Sequence, residues 1–248
     1  MNDPGSWLLL VPVILFVGTM IGSIGIGGVL LVPALTYLAG IEIHIAIAAC
    51  MLSYAFSGLV GAAIYAKQGT IRWATGLWLC LGAMPGAYAG ALVVSGLPAR
   101  TITVVIGVFI VFASVHALRT PREVAQANQN QSKILLALVG VVVGFGSAIS
   151  GTGGPLLLVP ALMWLKWPVL TAVGLSQLIQ LPISALATLG NYLHGEIDVW
   201  LGLVIAAIMI AGVAIGARLA HLVPALLLRR VVAVVLIAVG IWMLWKAF

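Results

Sequence analysis

Four glycines within seven residues interrupt an otherwise apolar stretch near the N-terminus. They are Gly22, Gly25, Gly27 and Gly28. A glycine in a helix interior costs about 1 kcal/mol relative to alanine, so this cluster should end a helix. The apolar run that follows, residues 29–39, contains Pro33 and is shorter than the roughly 20 residues that cross a bilayer core. The pattern predicts a broken membrane helix, with a short second helix that begins near Gly28.

The same pattern occurs again 127 residues later (23 to 150). The second copy reads Ser150-Gly151-Thr152-Gly153-Gly154-Pro155. In both copies a proline follows at the same distance, Pro33 after Gly27 and Pro160 after Gly154. A duplicated short helix interrupted by glycine is typical of transporter binding sites. The alternative is a pair of glycine-rich turns that only let helices pack closely.

The composition indicates a protein that lies in a lipid bilayer. Hydrophobic residues make up 63% of the chain and charged residues 6%, with a mean hydropathy of +1.26. Soluble domains average about 25% charged residues. The net charge of +6 comes from bases scattered singly along the chain, so it does not suggest a nucleic-acid partner. We predict an all-α polytopic membrane protein.

The chain divides into two halves that follow the same order of helical elements. We predict a first transmembrane repeat over residues 1–118, a polar cytoplasmic linker over 119–133 and a second repeat over 134–248. The predicted elements of the two halves are 6–21, 29–39, 43–66, 73–94 and 100–118, then 134–148, 156–165, 169–193, 199–220 and 226–244. Gly86 and Gly90 of the first half match Gly212 and Gly216 of the second, which supports an internal duplication.

Positive charge distinguishes the two faces of the predicted topology. If each half crosses the membrane an odd number of times, the second half is inverted, and bases should gather at loops that do not correspond. With the loop after the third element in the cytoplasm, only Arg100 and Lys246 of the eleven bases fall outside. The nine inside are Lys67, Arg72, Arg119, Arg122, Lys133, Lys166, Arg218, Arg229 and Arg230. We predict an inverted repeat with both termini outside the cytoplasm. A parallel repeat with re-entrant short elements is the alternative, and it would place Glu196 on the side of Lys67.

The predicted interior contains neutral hydrogen-bond donors that could bind an anion, and it contains no charged side chains. No Asp, Glu, Lys or Arg lies in the middle of a predicted span, which argues against a proton relay. The histidines stand near span ends without ligand spacing, so we expect no metal site. Helix starts near Gly28 and Pro155 would each present backbone N–H groups and about half a positive charge. We expect the two breaks to face each other near the midplane, not plugged by side chains.

The candidate binding residues are the glycine breaks and the polar side chains around them. They are Ser23, Gly25, Gly27, Gly28, Ser53, Ser150, Thr152, Gly153, Gly154, Gln177 and Gln180. Gln177 and Gln180 are three apart and share a helix face; their alternative use is an interhelical hydrogen bond. A serine in a membrane helix can also bond its own helix backbone. Such a site suits a small hydrated oxyanion and needs no cofactor.

The two motifs and the glycines that follow them resemble the TauE/SafE family of sulfite exporters. The residues that carry the resemblance are Gly25-Ile26-Gly27-Gly28 with Pro33, Gly151-Thr152-Gly153-Gly154 with Pro160, Gly69, Gly195, Gly86, Gly90, Gly212 and Gly216. The resemblance covers nearly the whole chain. It implies a multi-pass protein of a bacterial cytoplasmic membrane that moves sulfite or a related sulfur-containing anion, such as an organosulfonate.

Three other functions stay open at the level of sequence. A passive anion channel would use the same site without a moving gate, and a cation carrier would use unwound backbone carbonyls. An intramembrane serine hydrolase would need Ser176 as nucleophile and His194 as base, although His194 lies beyond the end of the same helix. We therefore predict no enzyme and no catalytic residue, and we leave open whether the chain forms a homo-oligomer.

Overall fold

The computed structural model describes residues 4–25, 27–119, 131–220 and positions 237, 238, 241 and 245. Within residues 4–220 the helices are α1 Pro4–Ile24, α2 Leu31–Leu38, α3 Ile43–Lys67, α4 Trp73–Ser95, α5 Ala99–Arg119, α6 Lys133–Ser150, α7 Pro155–Trp164, α8 Val169–His194 and α9 Val199–Leu219. A 3-10 turn, Gly28–Leu30, leads into α2. These nine elements confirm the predicted ones, with ends shifted by a few residues. Linker positions 120–130 and nearly all of the predicted last helix, 226–244, lie outside the described residues.

Both predicted helix breaks are present, and glycine allows the backbone conformation that each of them requires. Gly25 follows α1 with φ of +72°, and Gly151 ends α6 with φ of +67°, a backbone region that L side chains rarely adopt. Pro155 is the first residue of α7, where its missing N–H removes no helical bond. The short helices α2 and α7 therefore begin inside the protein instead of continuing α1 and α6.

The described helices have the length and the surface of membrane spans. Five of them, α3, α4, α6, α8 and α9, are long and apolar enough to cross a bilayer. Trp73, Trp164 and Trp200 stand at helix ends with most of their surface exposed, as in the aromatic belts at membrane interfaces. The prediction of an all-α polytopic membrane protein is confirmed.

Equivalent helices of the two halves make equivalent contacts. α4 packs along α6, and its counterpart α9 packs along α1. In the same way α3 packs on α9 and α8 packs on α4, while the equivalent helices α3 and α8 pack on each other. Small residues allow this closeness, since a Cβ on Gly90 would lie 2.6 Å from the backbone oxygen of Phe145, and one on Gly212 would lie 2.5 Å from that of Leu15. Each half therefore supports the broken helix of the other.

The directions of α3 and α8 show that the repeat is inverted. Gly58 of α3 faces Gln180 of α8, and Gly61, one turn further along α3, faces Gln177, one turn earlier on α8. The two equivalent helices therefore run antiparallel. A parallel repeat would have them run in the same direction.

The polar loops gather at two opposite faces of the bundle. Arg72, after α3, stacks on Trp167, before α8, with 5.5 Å between Cζ and the ring centroid. Glu42, before α3, lines one cavity with Glu196, after α8. Since α3 joins these two faces, Glu196 lies opposite Lys67, and the parallel alternative is wrong. We call the face with Arg72 the basic face and the one with Glu42 the acidic face.

Candidate functional site

The two glycine breaks meet inside the bundle. A Cβ on Gly28 would lie 2.9 Å from the carbonyl oxygen of Thr152, and one on Gly25 would lie 2.8 Å from Val159 and 3.6 Å from Pro155. They meet at the level of Tyr54 and Gln180, near the middle of α3 and α8. The inverted repeat thus brings the starts of two short helices together at mid-depth, as the sequence predicts.

The first turns of both short helices lie beside this meeting point. The first helical bonds run from Leu30 N to Gly27 O at 2.9 Å and from Leu157 N to Gly154 O at 3.2 Å. N–H groups before the first helical bond have no partner within their own helix. Together with the helix dipole, they form the kind of site that attracts an anion.

Tyr54 occupies the space between the two breaks. Its hydroxyl donates to the carbonyl oxygen of Gly28 at 2.7 Å, and its ring lies so close to Gly153 that a Cβ there would be 2.7 Å away. The expectation of breaks not plugged by side chains is therefore wrong for this conformation. Sequence reasoning missed Tyr54; the signal it carried was a hydroxyl in the middle of an apolar span, which needs a specific partner.

Side chains from the second and first halves hold the carbonyl end of α1. Gln177 Nε2 donates to Ile21 O at 2.9 Å, and the Tyr65 hydroxyl donates to Gly22 O at 2.8 Å. These carbonyls lie in the last turn of α1, and Ile21 O also accepts from Gly25 N at 3.0 Å. Tyr192, the sequence counterpart of Tyr65, is 67% exposed, so this support is not repeated in the second half.

The predicted serines direct their hydroxyl protons to their own helices. Ser23 donates to Met20 O at 3.4 Å, Ser53 to Cys50 O at 2.8 Å, and Ser150 to Gly146 O at 2.7 Å. Ser150 Oγ also lies 3.0 Å from Thr152 Oγ1. The serines thus bond the backbone of their own helices, which was the alternative to anion binding. In this conformation their hydroxyl oxygens can only accept further hydrogen bonds. The candidate donors for an anion are therefore backbone N–H groups of the breaks.

All the candidate residues are buried, so the site is closed to both faces. On the basic face, Tyr65 and Trp167 are almost fully buried. The acidic face carries a cavity of about 410 Å³ whose lining includes Glu42, His44 and His194 and none of the candidate residues. The conformation is an occluded one, with a vestibule on the acidic face.

His44 ties two loops together at the rim of this vestibule. Its Nδ1 lies 3.0 Å from the Glu42 carboxylate and its Nε2 lies 3.0 Å from Leu97 O. Each ring nitrogen therefore lies within hydrogen-bond distance of an oxygen. The contact joins the loop before α3 to the loop before α5 and does not reach the breaks.

The serine hydrolase alternative finds no assembled site. Ser176 Oγ donates to Val173 O at 2.7 Å. His194 is 18 residues further along the continuous helix α8, which separates the two along the axis by about 27 Å at 1.5 Å per residue. A nucleophile and its base must be within hydrogen-bond reach.

An inverted bundle of spanning helices with two broken helices that meet at mid-depth defines a multi-pass membrane transport protein. Comparison with known families agrees with this class. The chain belongs to the family described as sulfite exporter TauE/SafE, whose model matches residues 10–243.

Relatives from bacteria and an archaeon match over more than nine tenths of both chains. A probable membrane transporter protein of Xylella fastidiosa strain 9a5c is 26% identical over 241 residues, covering 94% of this chain and 92% of the relative. The probable membrane transporter protein YdhB of Bacillus subtilis is 26% identical, covering 91% of this chain and 95% of the relative. A probable membrane transporter protein of Methanocaldococcus jannaschii is 24% identical with 96% and 97% covered. No solved structure matches the chain significantly.

Replacing Tyr54 tests its position between the breaks. Tyr54→Phe removes the bond to Gly28 O and leaves a buried carbonyl without that donor, so we expect a loss of about 1–3 kcal/mol in stability. Thermal unfolding of the detergent-solubilised protein measures it, with the exposed Tyr192→Phe as matched control. Equal unfolding temperatures for the two variants would show that Tyr54 does not hold the break.

Proposed function

We propose that the protein transports a small anion, sulfite or a related sulfur-containing oxyanion or organosulfonate, by alternating access across a bacterial cytoplasmic membrane. The observation that carries the proposal is the contact of the two breaks, Gly28 against Thr152, at the middle of the bundle. The family description supplies the substrate class, because its members are described as sulfite exporters.

The chemistry of the meeting point suits a small oxyanion. Two helix starts together contribute roughly one positive charge in a region of low dielectric. Sulfite presents several oxygens that accept backbone N–H groups, and glycine lets the backbone approach them without side chains. Neutral donors bind an anion without the cost of a buried formal countercharge, which favours release as well as binding.

The occluded geometry supports a carrier mechanism. Tyr54 fills the space between the breaks, so an anion enters only when α3 and the short helices shift relative to each other. Exchange of conformation between two inverted halves opens the site alternately to each face. The contact of α3 with α8 runs along Gly58 and Gly61, whose small size suits sliding. A passive channel would need a continuous path instead.

The charge distribution supports an orientation in the membrane. The described basic face carries Arg72, Lys133 and Lys166 at helix ends, and the acidic face carries Glu42 and Glu196. Positive residues favour the cytoplasmic side. The basic face is therefore placed in the cytoplasm, with both termini outside.

Reporter fusions test this orientation. A reporter that is active only in the cytoplasm should be inactive at the C-terminus and active when inserted at Gln68, in the loop of the basic face. The reason is the preference of Lys and Arg for the cytoplasmic side. An active C-terminal fusion together with an inactive Gln68 insertion would reverse the topology.

Filling the meeting point should stop transport. A Cβ on Gly28 collides with Thr152 O and the Tyr54 hydroxyl at 2.9 Å, so we expect Gly28→Ala to slow uptake of radiolabelled sulfite into proteoliposomes about tenfold or more. Gly96→Ala is the matched control, because its nearest neighbour, Val93 O, is 3.8 Å away.

Three outcomes of this assay bear on the proposal. Normal sulfite uptake by folded Gly28→Ala removes the breaks from the transport path. If the wild type moves sulfite neither into nor out of the proteoliposomes, the proposed substrate class is contradicted. Unitary currents without saturation would replace the carrier by a channel that uses the same site.

A further inference from the structure

Two buried glutamines on α8 have their amide orientation fixed by backbone carbonyls. Gln177 Nε2 donates to Ile21 O at 2.9 Å, and Gln180 Nε2 donates to Tyr54 O at 3.0 Å and to Ser57 Oγ at 3.2 Å. A carbonyl only accepts, so the NH₂ group of each amide must face it. Each Oε1 is thereby turned away from these partners. Both side chains are fully buried.

The two amide oxygens are left without hydrogen-bond donors. Among the described residues, none donates to Gln177 Oε1 or to Gln180 Oε1. Buried acceptors of this kind are rare in native structures because they lose their hydration without replacement. An acceptor kept in this state in the middle of a transporter points to a ligand that supplies positive charge or a proton.

The surroundings of these oxygens are rich in acceptors and poor in donors. Gln177 lies at the carbonyl end of α1, which carries the negative end of the helix dipole, and its Oε1 faces Gly61. Gln180 lies against Gly58, and the hydroxyl of Ser57, which accepts from Nε2, is the α3 side chain at its amide. No Lys or Arg lies in the middle of a described span. Oxygen acceptors without donors are ligands that suit a cation.

We propose that the amide oxygens of Gln177 and Gln180 bind a monovalent metal cation, Na⁺, beside the anion site. Neutral carbonyl and hydroxyl oxygens, together with the C-terminal end of a broken helix, are the ligands that transporters use for this ion. Gln180 also lies next to the second break, since a Cβ on Gly154 would be 3.9 Å from its Cα. The cation therefore sits close to the anion and partly neutralises it.

Because the two sites are close, Na⁺ and the anion should bind cooperatively. A cation that raises the affinity for the anion must have its own affinity raised by the same factor. Coupled movement of Na⁺ with the anion rests on the proposed function, whereas cation binding by the two glutamines does not. The two claims can be measured separately.

Binding of ²²Na⁺ to the purified full-length protein in detergent tests the cation site. The wild type should bind ²²Na⁺ saturably, and Gln177→Leu and Gln180→Leu should each weaken binding at least tenfold because an oxygen ligand is lost. Gln68→Leu is the matched control, since Gln68 is exposed in the loop after α3. Gln177→Glu places a charged oxygen at the same position and should tighten binding at neutral pH.

The outcomes separate the cation site from the anion site. No saturable ²²Na⁺ binding by folded wild type overturns the proposal, as does unchanged affinity in both leucine variants. Where a leucine variant does not fold, unchanged or weaker binding by Gln177→Glu overturns it. Binding of ³⁵S-sulfite to the same samples is read independently. Loss of sulfite binding with ²²Na⁺ binding intact contradicts the proposed function and leaves the cation site standing.

Discussion

The structure depends on satisfying backbone polar groups where two helices break inside a bilayer. Water is absent there, so each exposed carbonyl or N–H group needs a partner from the protein or a ligand. The carbonyl end of α1 is held by Gln177 and Tyr65, and the carbonyl of Gly28 is held by Tyr54. The carbonyls thus receive side-chain donors, while the first N–H groups of α2 and α7 have no partner within their own helices. In the proposed function, this asymmetry makes the centre attractive to an anion.

The packing of each half on the other stabilises the two helix breaks, whose exposed backbone groups are energetically unfavourable. α4 packs closely on α6 and α9 on α1, with glycines against backbone at both contacts. Helices packed this tightly behave as rigid pairs, and α3 and α8 cross between them with Gly58 and Gly61 at their interface. In the proposed mechanism, motion of one pair against the other changes the access to the centre without breaking the packing that supports it.

Much of this arrangement could be predicted from the sequence because glycine and proline act locally. Gly25, Gly151 and Pro155 determine where helices end and begin through φ values that no neighbour needs to impose. The inversion could be predicted from the distribution of Lys and Arg, since the membrane faces select them independently of packing. These features depend on single residues and their surroundings in the bilayer.

The contents of the centre could not be predicted, because they depend on which side chains meet across the bundle. The hydroxyl of Tyr54 in an apolar span indicates that it needs a partner. The pattern of α3 does not say which partner, and only the folded bundle shows the contacts with Gly28 and Gly153. From the sequence, the hydroxyl of Ser53 and the amide of Gln177 could each bind either a ligand or a backbone carbonyl. In the folded bundle both donate to backbone carbonyls. Tyr65 and Tyr192 align in sequence but differ in burial for the same reason.

The central claim is that two helix starts hold an anion at mid-depth without a charged side chain. Selenite is a close analogue of sulfite whose heavy atom is located by anomalous X-ray scattering in crystals grown with it. The account predicts an anomalous peak between Gly28 and Gly154, with its oxygens roughly 2.7–3.2 Å from backbone nitrogens and with Tyr54 displaced. A peak at the vestibule alone, with Tyr54 still between the breaks, would contradict it.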